Sequence, residues 1–364
     1  MKNFPRESEE FARRSGSRRM TFVRRRLVRN GFLFIALLSL AAGFVATRPT
    51  ATAQDGLENP VFRVKVDLVV LNVAVTDRRG RYIRKLNPKD FRVYEDGILQ
   101  NVSTFGEGNE APRSIISSEE RTTETPGAEP GSSGSSIQNL VDESFAGTNV
   151  FILFDTSNFM YRSFVFAEDA IADFVRGLDS ADSIAVYGYS RNLTRLTPLT
   201  KERIDGVRGI RTAVAGDETA LYNALLLTLR DAAEVPGRKV IIVFSNGPDS
   251  ASTVGPDDVR AIGEDEGVPI YVISTREVNR DPISSNVFRR LTARTGGKAF
   301  FAKSWQRQSE AFVSIREELA SSYTLTYRPQ PNPNEGWRSI NVELAGDALR
   351  KYRIRTRSGY RPKL

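Results

Sequence analysis

The chain has no histidine and no cysteine among its 364 residues. Without cysteine there can be no disulfide, zinc–thiolate site, thiol nucleophile or lipidated cysteine. Without histidine it lacks the commonest general base and the commonest transition-metal ligand. Any cation held here is held by oxygen, which favours Mg2+, Ca2+ or Mn2+. Nucleophile–base chemistry is reduced to Ser/Lys or carboxylate pairs, and no such pair stands out. No catalytic residue is assigned, and the enzyme reading is left with a metal-assisted hydrolase built on Asp155.

Excess positive charge is also missing from most of the chain. The formal net charge is +8, but residues 1–53 hold eleven Lys/Arg against three Glu, which is the whole of that excess. A nucleic-acid binder carries its positive charge on the folded surface, so no nucleic-acid partner is expected.

The N-terminal charge has another explanation. Eight arginines between Arg13 and Arg29 precede the apolar run GFLFIALLSLAAGFVA, residues 31–46. Ala51-Thr52-Ala53 then offers a small-x-small cleavage site. Residues 1–53 read as a signal peptide or, left uncleaved, as an N-terminal anchor. The run is slightly shorter than the roughly 20 residues of a comfortable membrane span. Either reading places the rest outside the cytoplasm (periplasmic, cell-surface or secreted), because the arginines stay inside. Membrane contact is expected only through residues 31–46.

Three patterns follow along the chain. Residues 60–106 alternate apolar and polar side chains, with Asn87-Pro88 opening one helical turn and Asp96-Gly97 suiting a type I′ hairpin; this is a small β-rich, sandwich-like module. Residues 107–146 lose all periodicity, and their SSEERTTETPGAEPGSSGSS is a flexible linker by composition. From 147 to 322, strands such as VFILF, KVIIVF and IYVIS alternate with amphipathic stretches. Nearly continuous β-branched runs signal strands buried on both faces, hence an α/β doubly wound, mainly parallel sheet. One helix is expected to place Phe166, Ala170, Phe174 and Leu178 on one face, with Phe164, Phe166 and Phe174 in the core. Residues 323–364 return to alternation as a short C-terminal β-hairpin extension, whose basic RKYRIRTRSGYRPK is expected to present a solvated face.

In a doubly wound sheet, ligands bind at the carboxyl ends of the strands, where strand order reverses. Three polar clusters fall at such positions: Asp155-Thr156-Ser157, Gly216-Asp217-Glu218-Thr219, and Ser245-Asn246-Gly247-Pro248-Asp249. If the first and fourth strands are neighbours, these loops converge.

The strand ending in Asp155-Thr156-Ser157, the GDETALYNAL helix start, the strand ending in Ser245-Asn246-Gly247, and ARTGGKAFFA together resemble a von Willebrand factor A-type domain. With the preceding β-module and the C-terminal RTRSGYRP, residues 60–362 are similar to the exported VWFA-related family of acidobacterial type. The resemblance implies a metal-ion-dependent adhesion site of the Asp-x-Ser-x-Ser type. In integrin-like members the partner donates a carboxylate to an open metal position. Matched by motif, Asp155, Ser157 and Thr219 carry over, and Asn246 stands where a later Asp would be. Phe159 replaces the second Ser and removes a hydroxyl. Asp217 and Asp249 are possible additional acids. With one assured carboxylate the site is degenerate, and Mg2+ or another divalent cation would be weakly held, because Mg2+ dehydrates reluctantly. The rival account is that Asp155, Ser157 and Thr219 cap helices and join loops without metal.

The expected function is a non-enzymatic binding module that recognises a protein or surface-polymer partner. Phe159, Tyr161 and Arg162 flank the site as a possible binding surface, since aromatics and Arg are enriched at interface cores. The alternative is a structural component of a cell-envelope complex with no metal.

Overall fold

The structure, a computed structural model, describes residues 68–115, 147–245, 248–274, 282–302 and 305–362. The chain divides into two units, Met1–Arg63 and Val64–Leu364. The signal or anchor segment, residues 31–46 included, lies outside the described residues. No helix among the described residues is long and apolar enough to cross a membrane.

A six-stranded sheet is built from β6 (Asn149–Asp155), β7 (Ser183–Tyr189), β8 (Leu193–Thr200), β9 (Lys239–Phe244), β10 (Ile270–Ser274) and β11 (Ala299–Phe301), in the order β11-β10-β9-β6-β7-β8. All neighbours are parallel except the β7–β8 edge pair. The strands read from the apolar runs VFILF, KVIIVF and IYVIS are present as β6, β9 and β10. Val150 to Phe154 are each at most 1% exposed, because helices cover both faces. On one side lie α1 (Phe164–Arg176) and α6 (Trp305–Leu319), with Ile210 from α2 (Arg203–Ile210). On the other lie α3 (Leu221–Ala233), α4 (Pro256–Asp265) and α5 (Pro282–Thr295). This is the α/β doubly wound, mainly parallel fold expected from the sequence, and β6 and β9 are neighbours at its switch point.

The remaining strands are β1 (Val69–Thr76), β2 (Phe91–Glu95), β3 (Ile98–Gln100), β4 (Val102–Glu107), β5 (Arg113–Ser114), β12 (Tyr323–Tyr327), β13 (Arg338–Leu344), β14 (Arg353–Arg355) and β15 (Gly359–Tyr360). They form two sheets, β14-β1-β12-β4-β5 and β15-β13-β2-β3, around a shared core that includes Leu71, Val73, Val93, Tyr323 and Leu325. The N-terminal and C-terminal β-segments therefore interleave in both sheets. Alternation identifies each strand but not its partner, so the sequence alone leaves the two segments at opposite ends of the chain. Asp96 and Gly97 have φ of 49° and 81° between β2 and β3, as a type I′ turn requires.

The stretch read as a linker from residue 107 supplies a turn and the edge strand β5, paired with β4; residues 116–146 lie outside the described residues. A two-residue strand has no periodicity to detect. The basic C-terminal stretch is a solvated face only in part: Arg350, Lys351, Arg353 and Arg361 are exposed, but two of its arginines turn inward. Arg357 is 7% exposed and donates to the Glu264 carbonyl, while Arg355 reaches the Gly296 carbonyl and Glu318. Alternation gave the strands but hid the neighbouring carbonyls and carboxylates that hold these cations.

Candidate functional site

The sequence delivers Asp155 to the switch point by ending β6 there. Asp155 sits in register with Tyr189, the last residue of β7, and Phe154 with Phe244, the last of β9. Ser245 follows directly, so Asp155, Tyr189 and Ser245 converge where the sheet ends. Asp155 is fully buried. One of its oxygens accepts the Ser157 N–H at 2.9 Å and the other the Ser245 hydroxyl at 2.6 Å. Burial pushes its carboxyl above the usual range, against the hydrogen bonds from Ser157 and Ser245 that hold the charged form.

Backbone bonds stitch the loops together. The Asn158 N–H donates to the Asp217 carbonyl at 3.0 Å, the Gly216 N–H to the Thr156 carbonyl at 2.8 Å, and the Ala220 N–H to the Ser190 carbonyl at 2.9 Å. Thr219 is fully buried. Its carbonyl accepts from the Ser250 and Ala251 N–H groups. The anticipated convergence of Asp155, Ser157 and Thr219 on one strand end is thus built by main-chain contacts.

What the hydroxyls do is more informative. Ser157 is 1% and Thr219 0% exposed, and neither hydroxyl makes a well-formed hydrogen bond, although that of Ser157 lies near the Asp155 carboxyl. Buried polar groups nearly always find partners, so two orphans in one place need an explanation. Asp249 is committed elsewhere: its carboxylate accepts the Tyr222 N–H at 3.0 Å, the Ser252 N–H at 2.9 Å and the Ser252 hydroxyl at 2.6 Å. It caps the start of α3. Asp217 contributes its carbonyl while its side chain is exposed. Asn246 lies outside the described residues. No group of three or more acidic side chains among the described residues is arranged to hold a metal ion.

Residues 150–248 match the family model described as the von Willebrand factor type A domain. That stretch is a von Willebrand factor A-type domain. Solved structures similar to the chain include the conserved hypothetical protein BatB from Bacteroides thetaiotaomicron, 17% identical, covering 48% of this chain and 100% of that one at TM-score 0.40. A von Willebrand factor type A protein from Catenulispora acidiphila is 13% identical, covering 58% of this chain and 67% of that one at TM-score 0.41. The vWF domain of the type V pili tip protein Mfa5 from Porphyromonas gingivalis is 13% identical, covering 47% and 94% at TM-score 0.39. No curated protein matches the chain.

The A-type domain's donors meet a cation's needs in part. Ser157 and Thr219 offer two unengaged hydroxyl oxygens, and each Asp155 oxygen, holding one hydrogen bond, keeps a further lone pair. That set fits a hard cation, although Asp155 brings the only negative charge. Around it, Phe159 is half-buried, Tyr161 is 75% exposed, and Val165 and Phe166 are 62% and 58% exposed. For Arg162, the structure describes the backbone alone. Phe174 and the partly buried Phe164 pack in the core as expected. Phe166 does not: the buried stripe of α1 runs through Ala167, Ala170, Ile171, Phe174 and Val175, a 3.6-residue spacing that turns Phe166 outward. Sequence reasoning placed Ser245 in a converging strand-end cluster but missed Tyr189; the strand register that brings it to Asp155 was the absent signal.

Proposed function

We propose that this A-type domain is a non-enzymatic, exported binding module that recognises a protein or envelope polymer at the carboxyl ends of its six-stranded sheet. The observation that carries the reading is the pair of buried, unpartnered hydroxyls of Ser157 and Thr219 beside Asp155. A site that keeps such donors without partners bears a cost, roughly 1–3 kcal/mol per desolvated group, which a bound species offsets. Asp155, Ser157 and Thr219 would hold a weakly bound Mg2+ or other divalent cation. Such an ion supplies an electropositive position for an acidic group of the partner. Exposed Tyr161, Val165 and Phe166 on the adjoining turn and helix supply apolar contact. The absence of His and Cys leaves no strong general base at the site, which favours binding over catalysis. The arginine-rich segment and apolar run at the N-terminus support export.

The test is retention of the full-length protein on isolated envelope material, with Mg2+ and with chelator, for wild type and Thr219→Ala. Retention that falls at least tenfold both with chelator and in Thr219→Ala supports the reading. Retention unchanged by either moves the recognition surface off this face.

A further inference from the structure

Four buried hydroxyls among the described residues lack a hydrogen-bond partner: those of Ser157, Tyr189, Thr219 and Thr356. Three of them stand at the switch point. The adhesion-site motif accounts for Ser157 and Thr219 but not for Tyr189.

Tyr189 is placed as firmly as the motif residues. It is the register partner of Asp155 on the adjacent parallel strand, so the two side chains leave the same face of the sheet. That face also carries Leu153 and Tyr187 and is covered by α3, whose start follows Thr219. The Tyr189 carbonyl accepts the Thr156 N–H at 2.7 Å and the Thr156 hydroxyl at 3.0 Å, pinning the strand end to the Asp155–Ser157 loop. The side chain is 1% exposed. A buried Tyr hydroxyl usually finds a partner. The hydroxyl lies beside the Asp155 carboxyl and the Ser245 hydroxyl yet completes a well-formed hydrogen bond to neither; phenylalanine would fill the same space without that unmet atom, so packing alone does not account for the hydroxyl.

We propose that the Tyr189 hydroxyl is an oxygen of the cation site, supplying in number the hydroxyl that Phe159 removes from the motif. This rests on the cation reading of Asp155, Ser157 and Thr219. A tyrosine hydroxyl, with an ordinary pKa of about 10, is a neutral phenol at neutral pH. A neutral phenol adds an oxygen without adding charge, and its lone pairs can accept hydrogen bonds from waters that a Mg2+-like ion retains. Removing such an outer partner typically weakens metal affinity about 10–100-fold.

The experiment is calorimetric titration of the full-length protein with Mn2+ and with Mg2+, comparing wild type, Thr219→Ala and Tyr189→Phe, alongside thermal unfolding of each in chelator. The expected result is measurable binding by wild type, none by Thr219→Ala, and at least tenfold weaker binding by Tyr189→Phe, whose unfolding midpoint in chelator is equal to or above that of wild type. A purely structural hydroxyl would lower that midpoint and leave the affinity alone. Tyr189→Phe binding like wild type, while Thr219→Ala does not bind, overturns the role of Tyr189 and leaves the cation site standing. No heat from wild type at millimolar metal overturns both.

Discussion

At the base of the A-type domain Glu318, 2% exposed, accepts hydrogen bonds from Tyr82, Tyr271 and Arg355, whereas at the strand carboxyl ends Ser157, Tyr189 and Thr219 keep equally buried hydroxyls with none. Arg238, 6% exposed, shows the same pattern at the base. It donates to the Gly108 and Leu319 carbonyls at 2.7 and 2.9 Å and to the Ser322 hydroxyl at 2.6 Å, leaving only its Nε unmet. Gly108, at φ 60°, lies so close that a Cβ there would meet the Ala320 carbonyl at 2.6 Å. The base joins the sandwich to the A-type domain; there Glu318 and most of the Arg238 guanidinium are answered from within the chain, although Arg357 Nε and the Thr356 hydroxyl also lack partners. The carboxyl-end face is equally buried but is left short of partners.

The strongest way to break this contrast is at the base. Glu318→Gln keeps the side-chain shape but leaves Arg355 without its carboxylate. Removing one member of a buried ion pair costs about 3–5 kcal/mol. Chemical denaturation should show a loss of that size. A loss below about 1 kcal/mol would mean that the base is no better satisfied in solution than the opposite face.

A smaller effect, of opposite sign, is expected at the carboxyl ends. Thr219→Val exchanges an orphaned hydroxyl for a methyl group of nearly the same shape. In chelator the variant should match wild type or exceed it in stability by up to about 1–2 kcal/mol, because an unmet buried polar group is lost. Destabilisation beyond about 1 kcal/mol would show that the Thr219 hydroxyl has a partner in the free protein, and the comparison would lose its second term.

This contrast was only half legible in the sequence. β6, β9 and the turn at Asp155 follow from apolar runs that stop at polar residues, and the resemblance of GDETALYNAL to an A-type helix start marks Thr219. Phe159 was readable as a missing hydroxyl for the same reason. Tyr189 was not, because its importance lies in strand register, a long-range property that periodicity does not encode. Phe166 was misplaced because the helical stripe tilts away from it by one position. The base was hidden more completely: Glu318, Arg238 and Arg355 look like ordinary helix and strand charges until the interleaved strands bring sandwich and A-type domain together.

The finest test of the same contrast uses pH at the base. Asp182 is 2% exposed and accepts the Thr148 N–H at 2.9 Å. Burial raises its carboxyl above the usual 3.8, outweighing the Thr148 hydrogen bond and the attraction of Arg238. A carboxyl raised in the folded state binds its proton more tightly there than in the unfolded chain. Its contribution to stability is therefore fully present below the unfolded value and is lost as pH rises through the folded one. Asp182→Asn, which can still accept from Thr148, should remove that part of the slope. Denaturation midpoints of wild type and variant, followed from about pH 3 to pH 7, should converge at the acid end, with the variant gaining relative to wild type as pH rises. A constant difference across the range would mean that Asp182 titrates alike in both states. Its charge would then be as well met inside the base as in water, which is the contrast with the carboxyl ends in its strongest form.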